Sequence, residues 1–353
     1  MLRLTGVAIA LCVFETPAFA EPQLLDIEPD AHWVHEPTGL RLPPKIRDFV
    51  RDRIASYAAG DSNIGSSYFS PDDDEVLSVY VYRSGSYDVS MMADAAIEAM
   101  FTNENLGTID AESVLFATFG ADDIGEQSGV RASFEVDGPY RSTGLALFRA
   151  GNWLIKLRLS SKRVDVQSLD GRLALLASGM PISEPPEKAP PAYRILDCND
   201  AQERPVAPRR TLEMTDWVIA TMAVSVAYDE SIDEGMPSET QQGPAPSKLC
   251  RDRASRGGRM FYRDGDSKMP RAIVFGDSGT VSYVGQTGFS LSEGEEPPII
   301  LSLANGMRTQ LYEGFDMVPG FDQMLSVLSN EPIRAVVERT EDGGTNIILP
   351  SDS

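Results

Sequence analysis

Four groups of residues in this 353-residue chain have types and spacings that could do chemistry. Gly276-Asp277-Ser278-Gly279 has the form of a loop presenting a serine nucleophile. His32 and His35 have the His-x-x-His spacing of two metal ligands on one helical face. Asp72-Asp73-Asp74-Glu75 and Asp264-Gly265-Asp266 supply carboxylates of the kind that hold calcium. Arg251, Arg253, Arg256, Arg259 and Arg263 gather five guanidinium groups within thirteen residues of a chain whose net charge is −22.

Each group must meet a further chemical requirement. A serine nucleophile needs a base in hydrogen-bond reach, itself held by a carboxylate. The two histidines of this chain precede Ser278 by more than 240 residues. Neither lies in the Ala-Ala-His-Cys setting of the chymotrypsin-like proteases that share the tetrapeptide. Thr280 stands where those enzymes have a second glycine, and the paired six-stranded barrel texture is missing. A hairpin turn explains the Gly and Asp at once. Around the histidines, Pro37 and Gly39 favour a strand and turn, in which positions three apart face opposite sides; an exposed strand end is expected there, not a metal site. The acidic runs lack the spacing and terminal glutamate of a calcium loop and read as solvated turns. The arginine run admits two readings. Bidentate guanidinium groups beside Gly257-Gly258 suit an anionic ligand or an acidic partner segment. They equally suit carboxylates of the same chain, each surface pair contributing ~0–1 kcal/mol.

The elements that must position these residues follow from periodicity. Trp33 to Leu42 reads as a hairpin turning at Glu36-Pro37-Thr38-Gly39, and Val76 to Arg83 as a strand. Ser86 or Asp88 caps a helix through about Asn103, with Met92, Ala95, Ala96, Ala99 and Met100 on one side. Strands are expected at Ser113–Phe119, Gly129–Val136, Ser142–Arg149 and Trp153–Ser160, the last two joined tightly at Gly151-Asn152. A helix from about Val164 to Ala177 buries Val166, Leu169, Leu173 and Leu176. "PISEPPEKAPPAY" (Pro181 to Tyr193) packs five prolines into a linker. Beyond it come a strand carrying Cys198, a helix at Thr215–Tyr228 and a polar loop from Asp229 to Lys248. Strands near Arg259–Arg263, Arg271–Phe275, Thr280–Val284, Pro298–Leu303 and Gln310–Glu313 follow, then a helix at Phe321–Ser329 and two final strands. The expected fold class is α+β, two domains (30–180 and 194–350) of antiparallel sheet with flanking helices.

Residues 1–20 have the order of a secretory signal peptide: Arg3, an apolar run from Val7 to Phe14, and Ala18-Phe19-Ala20 before Glu21. A periplasmic location is expected, with no transmembrane segment once the signal is removed. Leu11 argues against lipidation of Cys12. Cys198 and Cys250 then remain and are expected to form a disulfide in an oxidising compartment. The negative charge argues against nucleic acid, whose binding rests on Lys and Arg.

The order hairpin, strand, helix, meander, "GNWLIKLRLSS" and closing helix resembles the PsbP-like α/β/α sandwich over residues 30 to 180. The texture of "WVHEPTGLRLPPKIRDFVRDR" resembles uncharacterised exported proteins of alphaproteobacteria. These resemblances imply an accessory role without catalysis and carry over no functional residues. The resulting expectation is an exported, non-catalytic binding or accessory protein with no cofactor, its ligand unknown. The alternatives are an envelope structural or assembly component, or a hydrolase using carboxylates assembled in space.

Overall fold

The computed structural model describes residues 22–58, 61–120, 127–180, 190–199, 206–228, 248–252, 255, 258–265, 270–286, 296–340 and 344–349. The signal segment, residues 181–189 of the proline-rich stretch, the 229–247 loop, Asp266, Arg253 and Arg256 lie outside them. The chain is α+β: the described residues form two large antiparallel sheet bodies and four α-helices, α1 (Val89–Phe101), α2 (Val166–Ala177), α3 (Met214–Tyr228) and α4 (Phe321–Asn330).

The first sheet has ten strands, at whose centre Glu75–Tyr82 pairs with Trp153–Ser161, which pairs in turn with Ser142–Ala150. Ala150 opposes Trp153 across the two-residue turn at Gly151, whose φ of 55° suits a left-handed hairpin position. Among the described residues the second sheet is an eight-stranded meander running from Leu249–Arg251 to Thr345–Ile348, with Arg209–Arg210 as a ninth strand beside Arg308–Phe315.

Helices separate the layers. Asp165 caps α2, its Oδ1 accepting from Ser168 N at 2.8 Å. The expected stripe of Val166, Leu169, Leu173 and Leu176 packs one face of the first sheet. α1 covers the opposite face, capped by Asp88, whose Oδ1 accepts from Met91 N at 3.0 Å.

α1 is buried on more than the one side that its spacing indicated. Met91, Ala93 and Asp94 are buried as well as Met92, Ala95, Ala96 and Met100. A helix apolar nearly all round belongs between two packed layers. One continuous core joins α1 to Val130, Leu145 and Leu154 of the first sheet and to Met260, Tyr262, Val274 and Val281 of the second. The outer face of the second sheet packs on α4 through Phe261, Ile273 and Leu301, while Trp217 of α3 packs with Ile300 and Leu311.

Candidate functional site

The tetrapeptide is a turn. Gly276 (φ 65°) and Gly279 (φ 91°) take left-handed backbone between the Pro270–Phe275 and Thr280–Gln286 strands. This turn locks the two sheet bodies together. Asp277 Oδ2 lies 2.7 Å from Nζ of Lys156 on the first sheet, and Lys156 also donates to the Asp277 carbonyl at 3.1 Å. Gly279 O accepts from Gly85 N at 2.8 Å and from Ser84 Oγ at 3.2 Å. A Cβ on Gly279 would stand 3.0 Å from Arg83 O, so this approach needs glycine. Burial pushes the Asp277 carboxyl up, but the Lys156 charge and hydrogen bond, with Arg158, hold it below the ordinary value.

His35 is buried rather than at an exposed strand end. Its Nε2 donates to Asp61 O at 3.3 Å, so Nδ1 accepts from the Thr38 hydroxyl at 2.8 Å. The imidazole meets the Trp153 ring edge-on, 4.4 Å between centroids. Burial lowers its pKa to about 4, against a smaller opposing effect of the Asp61 carbonyl. The polar tip needs partners once the apolar hairpin packs, and it has them. His32 is exposed. Among the described residues no cluster of three or more His, Cys, Asp or Glu could hold a metal. The Asp72–Glu75 run is a turn into a strand, where Arg163 pairs with Asp72 and Asp74 and Arg172 pairs with Glu75.

The described arginines do not form a single cradle. Arg251 opposes Tyr262, whereas Arg263 opposes Cys250, so strand alternation sends Arg251 and Arg263 to opposite faces. Arg263 is buried, its Nε 2.8 Å from Asp252. Arg259 is exposed at the start of its strand. Arg251 meets Asp197 at 2.8 Å, Asp94 at 3.5 Å and Glu98 at 3.9 Å.

Arg251 lines a cavity of about 140 Å³ between α1, the first sheet and the Tyr193–Ile195 segment. Phe101, Val114, Phe116 and Phe134 form its apolar wall, and Asp94 with Arg251 its polar end. Tyr262 Oη donates to Asp94 Oδ2 at 2.9 Å. Burial raises the Asp94 pKa to about 6; Arg251 and the Tyr262 hydrogen bond oppose this, while Glu98 and Asp197 add to it.

The disulfide holds the cavity's outer wall. Cys198 and Cys250 are bonded, with Cα atoms 5.0 Å apart. Cys198 directly follows an isolated parallel bridge, Asp197 to Arg251, rather than lying on the expected strand: Cys198 N donates to Arg251 O and Arg251 N to Leu196 O, each at 2.9 Å. The bond thus pins the segment that carries Tyr193 and Ile195 to the sheet edge. Sequence pattern alone does not single out Asp94. An acidic residue amid Met and Ala at the centre of "SMMADAA" was the available signal.

No family model matches the chain, and no curated protein matches it. A crystal structure of a protein from Bacteroides thetaiotaomicron VPI-5482 aligns with 11% identity over 67% of this chain and 84% of that one. The TM-score is 0.19.

Proposed function

We propose that this is an exported, non-catalytic binding or accessory protein of the Gram-negative periplasm, with the Asp94 cavity as its ligand site. The observation that carries the reading is an aromatic-walled cavity ending in a buried carboxyl. Apolar pockets with a few convergent polar groups are the common form of small-ligand sites. An engineered apolar cavity of about 150 Å³ accommodates benzene, so one ring or a short branched chain suits this volume, with a hydroxyl or amine directed to Asp94. The three carboxylates around Arg251 favour such a ligand over an acidic one.

The polar groups here are engaged in fixed bonds, which favours binding over turnover. Ser90 Oγ accepts from Tyr193 N at 2.9 Å, and Asp94 accepts from Tyr262. The disulfide and the signal-like first twenty residues support export. The helices on both faces of the first sheet support a PsbP-like α/β/α sandwich over residues 30 to 180.

A second reading has one observation in its favour: a carboxyl near pKa 6 suits general acid–base catalysis. Native mass spectrometry of protein recovered from its own host separates the two. A small non-covalent adduct that is lost on denaturation, and that Asp94→Asn depletes, is the expected result. A bare chain with hydrolase activity abolished by Asp94→Asn would replace binding with catalysis.

A further inference from the structure

A second pocket, of about 250 Å³, opens where the Asp277 turn meets the first sheet. Tyr57, Tyr80 and Asn63 line it from the first sheet body, with Lys156 and Arg158, while Asp277 and Ser278 come from the second. Pockets at junctions between packed bodies are favoured ligand sites.

Its construction differs from that of a simple ion-pair seam. Gly65 lies beneath the rings of Tyr57 and Tyr80: a Cβ there would stand 2.9 Å from carbons of both. Glycine therefore lets the two rings lie across the strand, 6.5 Å apart between centroids. Tyr57 is 39% exposed and lines the pocket.

The polar groups divide into spent and unspent. Lys156 is committed to Asp277 by two hydrogen bonds. Arg158 stands 3.9 Å from Asp277, beyond hydrogen-bond distance, with its side chain partly exposed. Around it lie the Asn63 amide and the Ser278 hydroxyl. Lys156, Arg158 and Asp277 leave one net positive charge in a chain of net charge −22.

We propose that this pocket binds a monosaccharide-sized, hydroxyl-rich ligand bearing one carboxylate, a uronic-acid unit. Its carboxylate pairs with Arg158, in the bidentate geometry that guanidinium favours. Its hydroxyls, each donor and acceptor, meet Asn63, Ser278 and the outer lone pairs of Asp277. The apolar face of its ring lies on Tyr57, as amphipathic ligands do on aromatic side chains. The site is independent of the Asp94 cavity.

Saturation-transfer NMR on the full chain, with D-glucuronate as the probe, tests this. Transfer to the sugar ring protons is expected, with D-glucose bound about tenfold more weakly for want of a charge-assisted pair. Tyr57→Ala and Arg158→Gln each weaken glucuronate about tenfold. Tyr57→Ala changes a rim side chain, so its unaltered melting curve separates lost binding from lost folding. No transfer from glucuronate at millimolar concentration overturns the proposal, as does binding that both variants leave intact. Full displacement by acetate or inorganic phosphate also overturns it, in favour of a plain anion site. None of these outcomes bears on the Asp94 cavity, which Asp94→Asn reports separately.

Discussion

Asp94 is buried and Asp277 is half-buried, its side chain 30% exposed; both face a cation and both tie one sheet body to the other, yet their acidities move in opposite directions. The Asp277 carboxyl is held below its ordinary value, whereas that of Asp94 is raised to about 6. Distance and company account for the difference. Lys156 touches Asp277 at 2.7 Å with a charge-assisted hydrogen bond, and Arg158 adds a second positive charge. Arg251 stays 3.5 Å from Asp94 and shares itself with Asp197 and Glu98, whose own charges oppose ionisation of Asp94. Burial penalises both anions, and only the closer, less divided cation overcomes it. One aspartate is a latch, and the other stays adjustable beside a cavity.

The contrast is broken most severely at the latch. Asp277→Leu takes the close carboxylate from the Lys156 ammonium, which is 4% exposed and keeps the backbone carbonyl of residue 277. A buried charge stripped of its partner costs about 3–5 kcal/mol, and denaturant unfolding should show a loss of that size. The double variant Lys156→Met/Asp277→Leu should recover most of it, because two apolar groups leave nothing uncompensated. A loss of Asp277→Leu below about 1 kcal/mol would class the pair with ordinary surface ion pairs.

The disulfide sharpens the comparison from the other side. It closes a separation of 52 residues, for which the chain-entropy model gives up to ~4 kcal/mol, with about 2–4 the usual range. Cys198→Ser should lower the melting temperature, and reductant should do the same to the parent. The loosening should be local. Amides of Cys198 and Arg251, which bond across the bridge, should exchange faster on reduction, while the Gly85 amide at the latch keeps its protection. Equal acceleration at both would show that cavity wall and latch form one cooperative unit.

Where one face of an element is dry, the sequence was readable. α2 buries the four residues its spacing indicated, and the Gly151-Asn152 turn joins the two strands expected on either side. Asn63–Phe69 is a strand, although "NIGSSYF" carries the Gly and Ser of a loop. Its glycine is there to admit two tyrosine rings, a reason supplied by other strands. Phe49–Ser56 is equally illegible: charged residues and a register shift between Arg51 and Arg53 break its alternation. The site was less legible than the fold. Arginine spacing along the chain says nothing of pleat, and the pleat parts Arg251 from Arg263. Asp94 and Lys156 gain their chemistry from the second sheet, more than a hundred residues away, so no local pattern could announce them.

The smallest effect tests the adjustable aspartate. Between about pH 4 and pH 6 the folded chain holds a proton on Asp94 that the unfolded chain has released. Stability therefore falls as pH rises through that window, and the full cost of the ionised carboxyl is present above it. At 1.36 kcal/mol per unit the ceiling is about 3 kcal/mol. Asp94→Asn removes this ionisation cost, which is already net of the Arg251 attraction, so a gain of about 1–3 kcal/mol near pH 7.5 is expected, vanishing near pH 4. His35 works in the opposite direction: its pKa of about 4 makes the chain lose stability as pH falls from about 6.5 to 4. That loss is common to parent and variant, and it cancels when their unfolding free energies are subtracted at each pH. A difference that rises between pH 4 and 6 and then levels off marks Asp94 as the carboxyl that burial has won. A difference flat across the range would mean that Arg251 holds Asp94 ionised as Lys156 holds Asp277, and that the cavity ends in a second latch.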